Sequence, residues 1–407
     1  MISVDNALQI ILDNIRISGL EKIDIVHSLD RVLGEDIYSD TDYPLWDNSA
    51  MDGYAVRWED IKDVSNNKSI ELRLVGEISA GKISNREVKK RECIKIMTGA
   101  PMPPKADTVV KVEDTTYNNG FVNILTGYKY GENVRKKGEN IKKGDLLISK
   151  RRMITSADIG VMASIGKGFV YVYQRPRVAI LSTGNELVDL DERVSNGKIY
   201  NSNSYSLSAQ VEEAGGIPVL LGIARDTIKD LNEKISQGLS SDIILISGGV
   251  SVGDYDFVKD ALKEAEIDMK FWKIAMRPGK PLAFGVIKGI PTFGLPGNPV
   301  SSMVSFEQFV RPSLLKMSGH TTISAHVIQA VLQEDIHDRI GRRHLIRGIV
   351  EMKAGEYIVK TTGDQGAANI MSMAISNGLI LVPEEKKFIK KGEKVSVKLI
   401  RKELIFS

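Results

Sequence analysis

Apolar residues recur at positions 4, 8, 11, 12 and 15, with Asp5 and Asp13 between them, the spacing of a helix with one buried face. An extended piece follows to about residue 41. From 42 to 142 the helical period gives way to short apolar runs at 69–75, 93–97, 108–112 and 121–124, each bounded by turn residues. That pattern predicts a small β domain. Helical spacing returns near 156–165. Residues 1–41 and 143–172 are therefore expected to form one connecting domain, split by the β insertion.

The central region has a different texture. Runs at 177–183, 218–223, 242–247 and 291–295 are compact and apolar, as in strands covered on both faces. Helical patterns at 205–214, 227–239 and 257–265 alternate with them, which predicts a doubly wound α/β domain over 173–320. Beyond 321 the chain reverts to short strands at 325–331, 344–351, 357–362, 379–382 and 395–400, suited to a small C-terminal β-barrel or sandwich over 321–407.

Composition narrows the function classes. The 407 residues carry 55 basic and 52 acidic side chains, net charge +3, so no global field favours nucleic acid. The basic clusters 135–137 and 142–143 read as solvated loops. One cysteine, Cys93, excludes an intramolecular disulfide and any CxxC motif. Five scattered histidines make a structural zinc site a poor fit. The N-terminus lacks a basic start and an unbroken apolar run. No stretch approaches the roughly 20 apolar residues of a membrane span, and a cytoplasmic location is expected.

Candidate chemistry gathers after the central apolar runs, where open α/β sheets hold ligands. The run 180–186 ends Ser-Thr-Gly-Asn-Glu and places Glu186 in a loop. The run 243–256 continues Ser247-Gly248-Gly249-Val250-Ser251-Val-Gly-Asp254-Tyr-Asp256, a glycine pair and two serines ahead of a helix. Such a turn cradles an anion, yet Asp254 and Asp256 would repel phosphate. A bridging divalent cation, most simply Mg²⁺, reconciles the two; capping of the helix near 257 is the plainer role for one aspartate. The run 293–299 ends Pro296-Gly297-Asn298-Pro299, with Pro299 placed to open a helix over 300–315. Lys273, Arg277 and Lys280 put three cations on a loop stiffened by Pro278 and Pro281, the oxyanion half of a pocket. The polar stretch 47–56 holds Asp47 and Asp52 around Asn-Ser-Ala-Met, with Gly53 after. By contrast, 76–83 imitates a phosphate loop but has Ile83 where Ser or Thr should bind Mg²⁺; ATP is not expected there.

Asp47-Asn-Ser-Ala-Met-Asp-Gly, Ile96-Met-Thr-Gly-Ala-Pro, Ser182-Thr-Gly-Asn-Glu, Ser247-Gly-Gly-Val-Ser, Arg277-Pro-Gly-Lys and Leu295-Pro-Gly-Asn-Pro occur in this order over nearly the whole chain. Together they resemble the molybdopterin molybdenumtransferase family, which includes the E domain of gephyrin. The resemblance implies insertion of molybdate into adenylylated molybdopterin with Mg²⁺-dependent release of AMP. It also implies an elongated homodimer, with each cleft shared between the α/β domain of one subunit and the β domain of the other. Asp52 and Thr98 would reach the cleft from the partner. Glu186 and Asp256 would hold the metal or orient water, with Asp226 supporting and Lys273 adding charge. The runs 247–251 and 296–299 would line the pterin and nucleotide site. Arg277, Lys280, Arg347 and Ser372 would contact molybdate. Two positions depart from the family pattern: Asn140 replaces a frequent Asp, and Ala367 a frequent Ser. Molybdopterin adenylyltransferase and a non-catalytic molybdopterin-binding scaffold are the competing functions. The adenylyltransferase and apo-molybdoenzymes are the further partners implied.

Overall fold

The computed structural model describes residues 1–65, 67–249, 257–401 and 405–406. They fall into two compact units, one of residues 1–22, 151–153 and 171–407, the other of 23–150 and 154–170.

The larger unit is built on a six-stranded sheet. Its strands lie in the order Ile217–Ala224, Arg177–Thr183, Ile243–Ser247, Ile290–Leu295, Ala283–Ile287, Asp268–Phe271. The first four are mutually parallel, and the last two add antiparallel edges. The apolar periodicity located the parallel strands to within a residue or two; the antiparallel pair was not among the expected elements. Of these, Ala283–Ile287 is joined to Ile290–Leu295 through Lys288 and Gly289, both at positive φ, a tight reversal. Ile217–Ala224 is the outer strand and only half-buried, so its apolar run reflects one covered face rather than two.

Helices cover both faces. Ser202–Glu213 starts at Asn201, whose side chain accepts from Ser204 N at 3.3 Å. Ile228–Gly238 starts at Thr227, which caps Asp230 N. Val4–Asp13, capped by Ser3, contributes Val4, Ala7 and Ile11 to the core containing Val178, Phe293, Phe306 and Phe309. The N-terminal helix thus packs on the α/β core, where its apolar stripe meets large buried side chains; the helix Ser156–Ser164 belongs to the other unit.

Asn298 and Pro299 open the helix Pro299–Ser305 as expected. The chain continues through a π-helical turn, Phe306–Val310, into Arg311–Met317. In π register the Glu307 carbonyl looks toward residue 312, a proline with no N–H. Lys398 Nζ donates to that carbonyl instead, at 2.5 Å.

Five further strands of this unit close on themselves. Arg343–Lys353, Glu356–Thr361, Val327–Leu332, Lys394–Leu399 and Gly378–Val382 pair in a ring that returns to the first. This is a five-stranded barrel filled by Leu332, Val350, Val359, Ile380 and Val397.

The smaller unit carries a second six-stranded sheet, in the order Thr108–Lys111, Gly53–Val56, Glu92–Ile96, Ile70–Ile78, Phe121–Ile124, Thr115–Asn118. Gly53–Val56 lies inside it, immediately after Asp52. A Cβ at Gly53 would collide with the Val110 carbonyl, so only glycine lets the chain enter the sheet there. No helix follows the phosphate-loop imitation ending at Ile83; residues 79–91 form no regular structure before the strand at Glu92. Cys93 is buried, and burial pushes its thiol up to about 12, so it is inert packing.

Candidate functional site

Register aligns the carboxyl ends of the central strands: Ser182 lies opposite Ser247, and Ser247 opposite Leu295. The loops that leave them enclose a cleft of about 560 Å³. It gathers Glu186, Ser247, Gly248, Gly249 and the run Pro296, Gly297, Asn298 and Pro299, which the sequence assigned to one site, and adds Thr183. Val250, Ser251, Asp254 and Asp256 lie outside the described residues.

Backbone shape is demanding here. Gly248 and Gly249 both sit at positive φ, and a Cβ on either would press on Thr183 Oγ1. The Glu186 carboxylate folds back over Gly184 and has no hydrogen-bond partner among the described residues. Asp226 accepts from Asn185 N at 3.0 Å, while Asn185 Oδ1 accepts from Asp226 N at 3.3 Å. This reciprocal clasp ties the Glu186 loop to the end of the neighbouring strand.

Asn203 carries no motif, yet it ties the cleft floor together. Its Nδ2 donates to Ser247 Oγ and to the Gly297 carbonyl, both at 2.8 Å. Its Oδ1 is buried without a partner among the described residues, as is Thr183 Oγ1. Buried polar atoms are ordinarily satisfied, so these two acceptors mark where ligand donors fit. The sequence signal was present in Asn201-Ser-Asn203, a cap-rich run facing the strand ends.

The cationic residues divide. Arg347 is fully buried within the barrel strand Arg343–Lys353. Its Nε donates to Ser372 Oγ at 3.1 Å and its Nη2 to the Gly366 carbonyl at 3.0 Å, while Nη1 has no partner among the described residues. Burial, against the pull of Asp364 and helped by Arg277, brings its pKa down to about 10; the guanidinium stays charged at neutral pH. Arg277 pairs with Asp338 at 3.2 Å. Lys273 and Lys280 are exposed and do not line the described part of the cleft. Their loop closes through Ile274 N and the Lys280 carbonyl at 3.1 Å. The Ala367 carbonyl accepts from Val300 N, so the backbone of this departure still serves the helix start at Pro299.

In the smaller unit Asp52 and Thr98 meet. Asp52 Oδ1 accepts from Thr98 N at 2.7 Å and from Thr98 Oγ1 at 2.8 Å. The backbone bond first, then the hydroxyl, hold the Asp52 carboxyl below the usual carboxylate range. Asp47 is engaged differently, by Lys136 Nζ at 2.9 Å and Lys137 N at 2.8 Å, a loop brace. Asn140 is exposed, and with Tyr43, Trp46, Asn48 and Arg135 it lines a separate hollow of about 480 Å³.

Among the described residues no cluster of three or more His, Cys, Asp or Glu could hold a metal ion, and no helix is long and apolar enough to cross a membrane.

Three family models match in chain order. Residues 2–166 match the MoeA N-terminal region (domain I and II), 179–316 a probable molybdopterin binding domain, and 329–400 the MoeA C-terminal region (domain IV). A molybdopterin molybdenumtransferase of Nostoc sp. is 38% identical over 383 residues, 93% of this chain and 88% of its own. One from Haemophilus influenzae is 32% identical over 402 residues, 98% of each chain. The crystal structure of a molybdopterin biosynthesis MoeA protein from Pyrococcus horikoshii matches with TM-score 0.86 and 32% identity, covering 98% of this chain and 99% of that one.

Proposed function

The chain belongs to the molybdopterin molybdenumtransferase family of molybdenum cofactor biosynthesis enzymes, and from that premise we propose that it inserts molybdate into adenylylated molybdopterin with Mg²⁺-dependent release of AMP. The observation that carries the oxyanion half is Arg347: a fully buried guanidinium with Nη1 unpartnered among the described residues and the Ser372 hydroxyl beside it. A buried cation with an unused donor suits a tetrahedral dianion. Arg277, on the strand paired with the Arg347 strand, is the second contact, and Lys280 and Lys273 add longer-range charge.

The cleft at the strand ends would take the pterin and nucleotide. Gly248 and Gly249 permit close backbone approach, and Asn203 Oδ1 and Thr183 Oγ1 supply acceptors unmatched among the described residues. Ser247, Val250 and Ser251 with Pro296–Pro299 would line it. The unpartnered Glu186 carboxylate fits a hard dication as an oxygen ligand, and Asp256 would be the second ligand. Such an ion would offset the charge that develops on the leaving AMP. Asp226 would hold the Glu186 loop in place through Asn185.

Asp52, kept ionised by Thr98, would reach the cleft of a partner subunit in a cytoplasmic homodimer. The four-part layout, with 1–41 and 143–172 as a connecting domain, belongs to the same reading. Matches to the N- and C-terminal regions as well as the central domain favour insertion over adenylylation.

The test is AMP release from adenylylated molybdopterin with Mg²⁺, with and without molybdate, coupled to reconstitution of an apo-molybdoenzyme. Molybdate-dependent AMP release with recovered activity supports insertion. Pyrophosphate release from ATP and molybdopterin would replace it with adenylylation.

A further inference from the structure

Asp338 and His344, which belong to none of the sequence motifs, sit behind Arg277. The short strand Met276–Arg277 runs parallel to Arg343–Lys353, and register sets Arg277 beside His344. Asp338 follows the strand Ile336–His337 and reaches both. Its Oδ1 accepts from Arg277 Nη1 at 3.2 Å and from Arg339 N at 2.8 Å. Its Oδ2 lies 2.9 Å from His344 Nδ1. The Asp338 side chain is 3% exposed and that of His344 5%, against 44% for Arg277. A buried carboxylate thus grips the inner side of a half-exposed guanidinium.

Burial holds His344 below the ordinary histidine range; Arg277 and Arg347 act the same way, against the opposite pull of Asp338. A neutral imidazole with its proton on Nδ1 donates to Asp338, and the buried Nε2 is unmatched among the described residues. The Asp338 charge is therefore answered by Arg277, with His344 as a neutral second anchor.

We infer that Asp338 is a positioning residue for the oxyanion substrate, acting through Arg277 with His344 as its brace. The inference rests on the reading of Arg277 as an oxyanion contact. Two effects of opposite sign compete. An arginine side chain carries much rotamer freedom; fixing it before the ligand arrives removes much of that loss from binding. Against this, a carboxylate near a dianion repels it. Burial of Asp338 behind Arg277 leaves the guanidinium as the nearer, solvent-facing charge, so positioning outweighs repulsion.

The experiment is a molybdate titration of Mg²⁺-dependent AMP release by the full-length protein, with thermal unfolding followed in parallel. D338N keeps an acceptor for Arg277 and drops the charge. Its KM for molybdate should rise roughly tenfold, the effect of weakening one charged hydrogen bond, with kcat and the KM for adenylylated molybdopterin little changed. D338E should recover part of the loss. In a cycle with R277A, the double variant should be no worse than R277A alone. An unchanged or lowered molybdate KM in D338N, or additive losses in the cycle, overturns the positioning role. Should D338N fail to fold, H344Q must raise the same KM, and a normal titration there overturns the inference equally. Wild-type AMP release that ignores molybdate would instead overturn the proposed function itself.

Discussion

Arg347 Nε donates to the Ser372 hydroxyl at 3.1 Å, yet its Nη1, in a fully buried side chain, meets no acceptor among the described residues. An unmet buried donor costs about 1–3 kcal/mol, and more on a charged group, and such a deficit persists where a ligand removes it.

Molybdate should therefore stabilise the protein in the absence of any pterin. At one hundred times its dissociation constant, a ligand that binds only the native state adds about 2.7 kcal/mol. The melting temperature of wild type should rise with molybdate, and with tungstate, an equal-sized dianion. R347K cannot fork between Ser372, Gly366 and a ligand, and its melting temperature should not respond. A response equal to wild type would remove Arg347 from the site.

Glu186 separates metal binding from folding. Its carboxylate is exposed and without a hydrogen-bond partner among the described residues, so E186Q should alter stability by no more than about 0.5 kcal/mol. AMP release should fall on the order of a hundredfold, and the Mg²⁺ concentration needed for half-maximal rate should rise. Full activity at ordinary Mg²⁺ would refute the ligand assignment.

The contrast between these residues shows what a sequence discloses. Glu186, Ser247 and Pro299 were legible because each ends an apolar run or opens a helix, and parallel strands fix where such ends meet. Asp52 lay in a readable motif, but the strand Gly53–Val56 behind it was not, since four residues beginning with glycine carry almost no periodicity. Asn203 and Asp338 were hidden for another reason. Their roles depend on partners 94 and 61 residues away, Gly297 and Arg277, and no local pattern encodes such pairings. The barrel's short strands were readable from their alternation; its closure needed the pairing of Arg343–Lys353 with Gly378–Val382.

Thr98→Val tests the Asp52 pair through pH. Asp52 has a depressed pKa in the folded protein, from the Thr98 backbone bond first and the hydroxyl second. Its ionised form is favoured above that folded value and lost as pH falls through it. Removing the hydroxyl leaves the backbone donor, so the pKa should move part of the way back up. The acid limb of the AMP-release profile should shift to higher pH, with the plateau rate reduced. An unmoved acid limb would show that Asp52 ionisation does not govern the rate.

Lys398 offers a test of the fold that is independent of the chemistry. It is 6% exposed, donates to the Glu307 carbonyl, and lies beside the pair of buried Glu307 with half-buried Arg311. Burial first, opposed by Glu307 and reinforced by Arg311, lowers its pKa from 10.5 to about 8. The sign follows from proton counting. Between pH 8 and 10.5 the unfolded chain holds the proton and the native state does not, so stability rises with pH across that window. Below pH 8 both states are charged, and the native state carries the full penalty, on the order of 3 kcal/mol for a shift of this size. Urea unfolding of wild type should thus show a midpoint that climbs between pH 8 and 10. Lys398→Met removes the titrating amine but leaves the Glu307 carbonyl opposite Pro312 without its donor. Its midpoint should lose the climb, while its stability at pH 7 reflects the difference between a relieved charge and an orphaned carbonyl. A climb of wild-type size in the variant would assign the pH dependence to other groups and remove Lys398 as the buried charge that the π-turn accommodates.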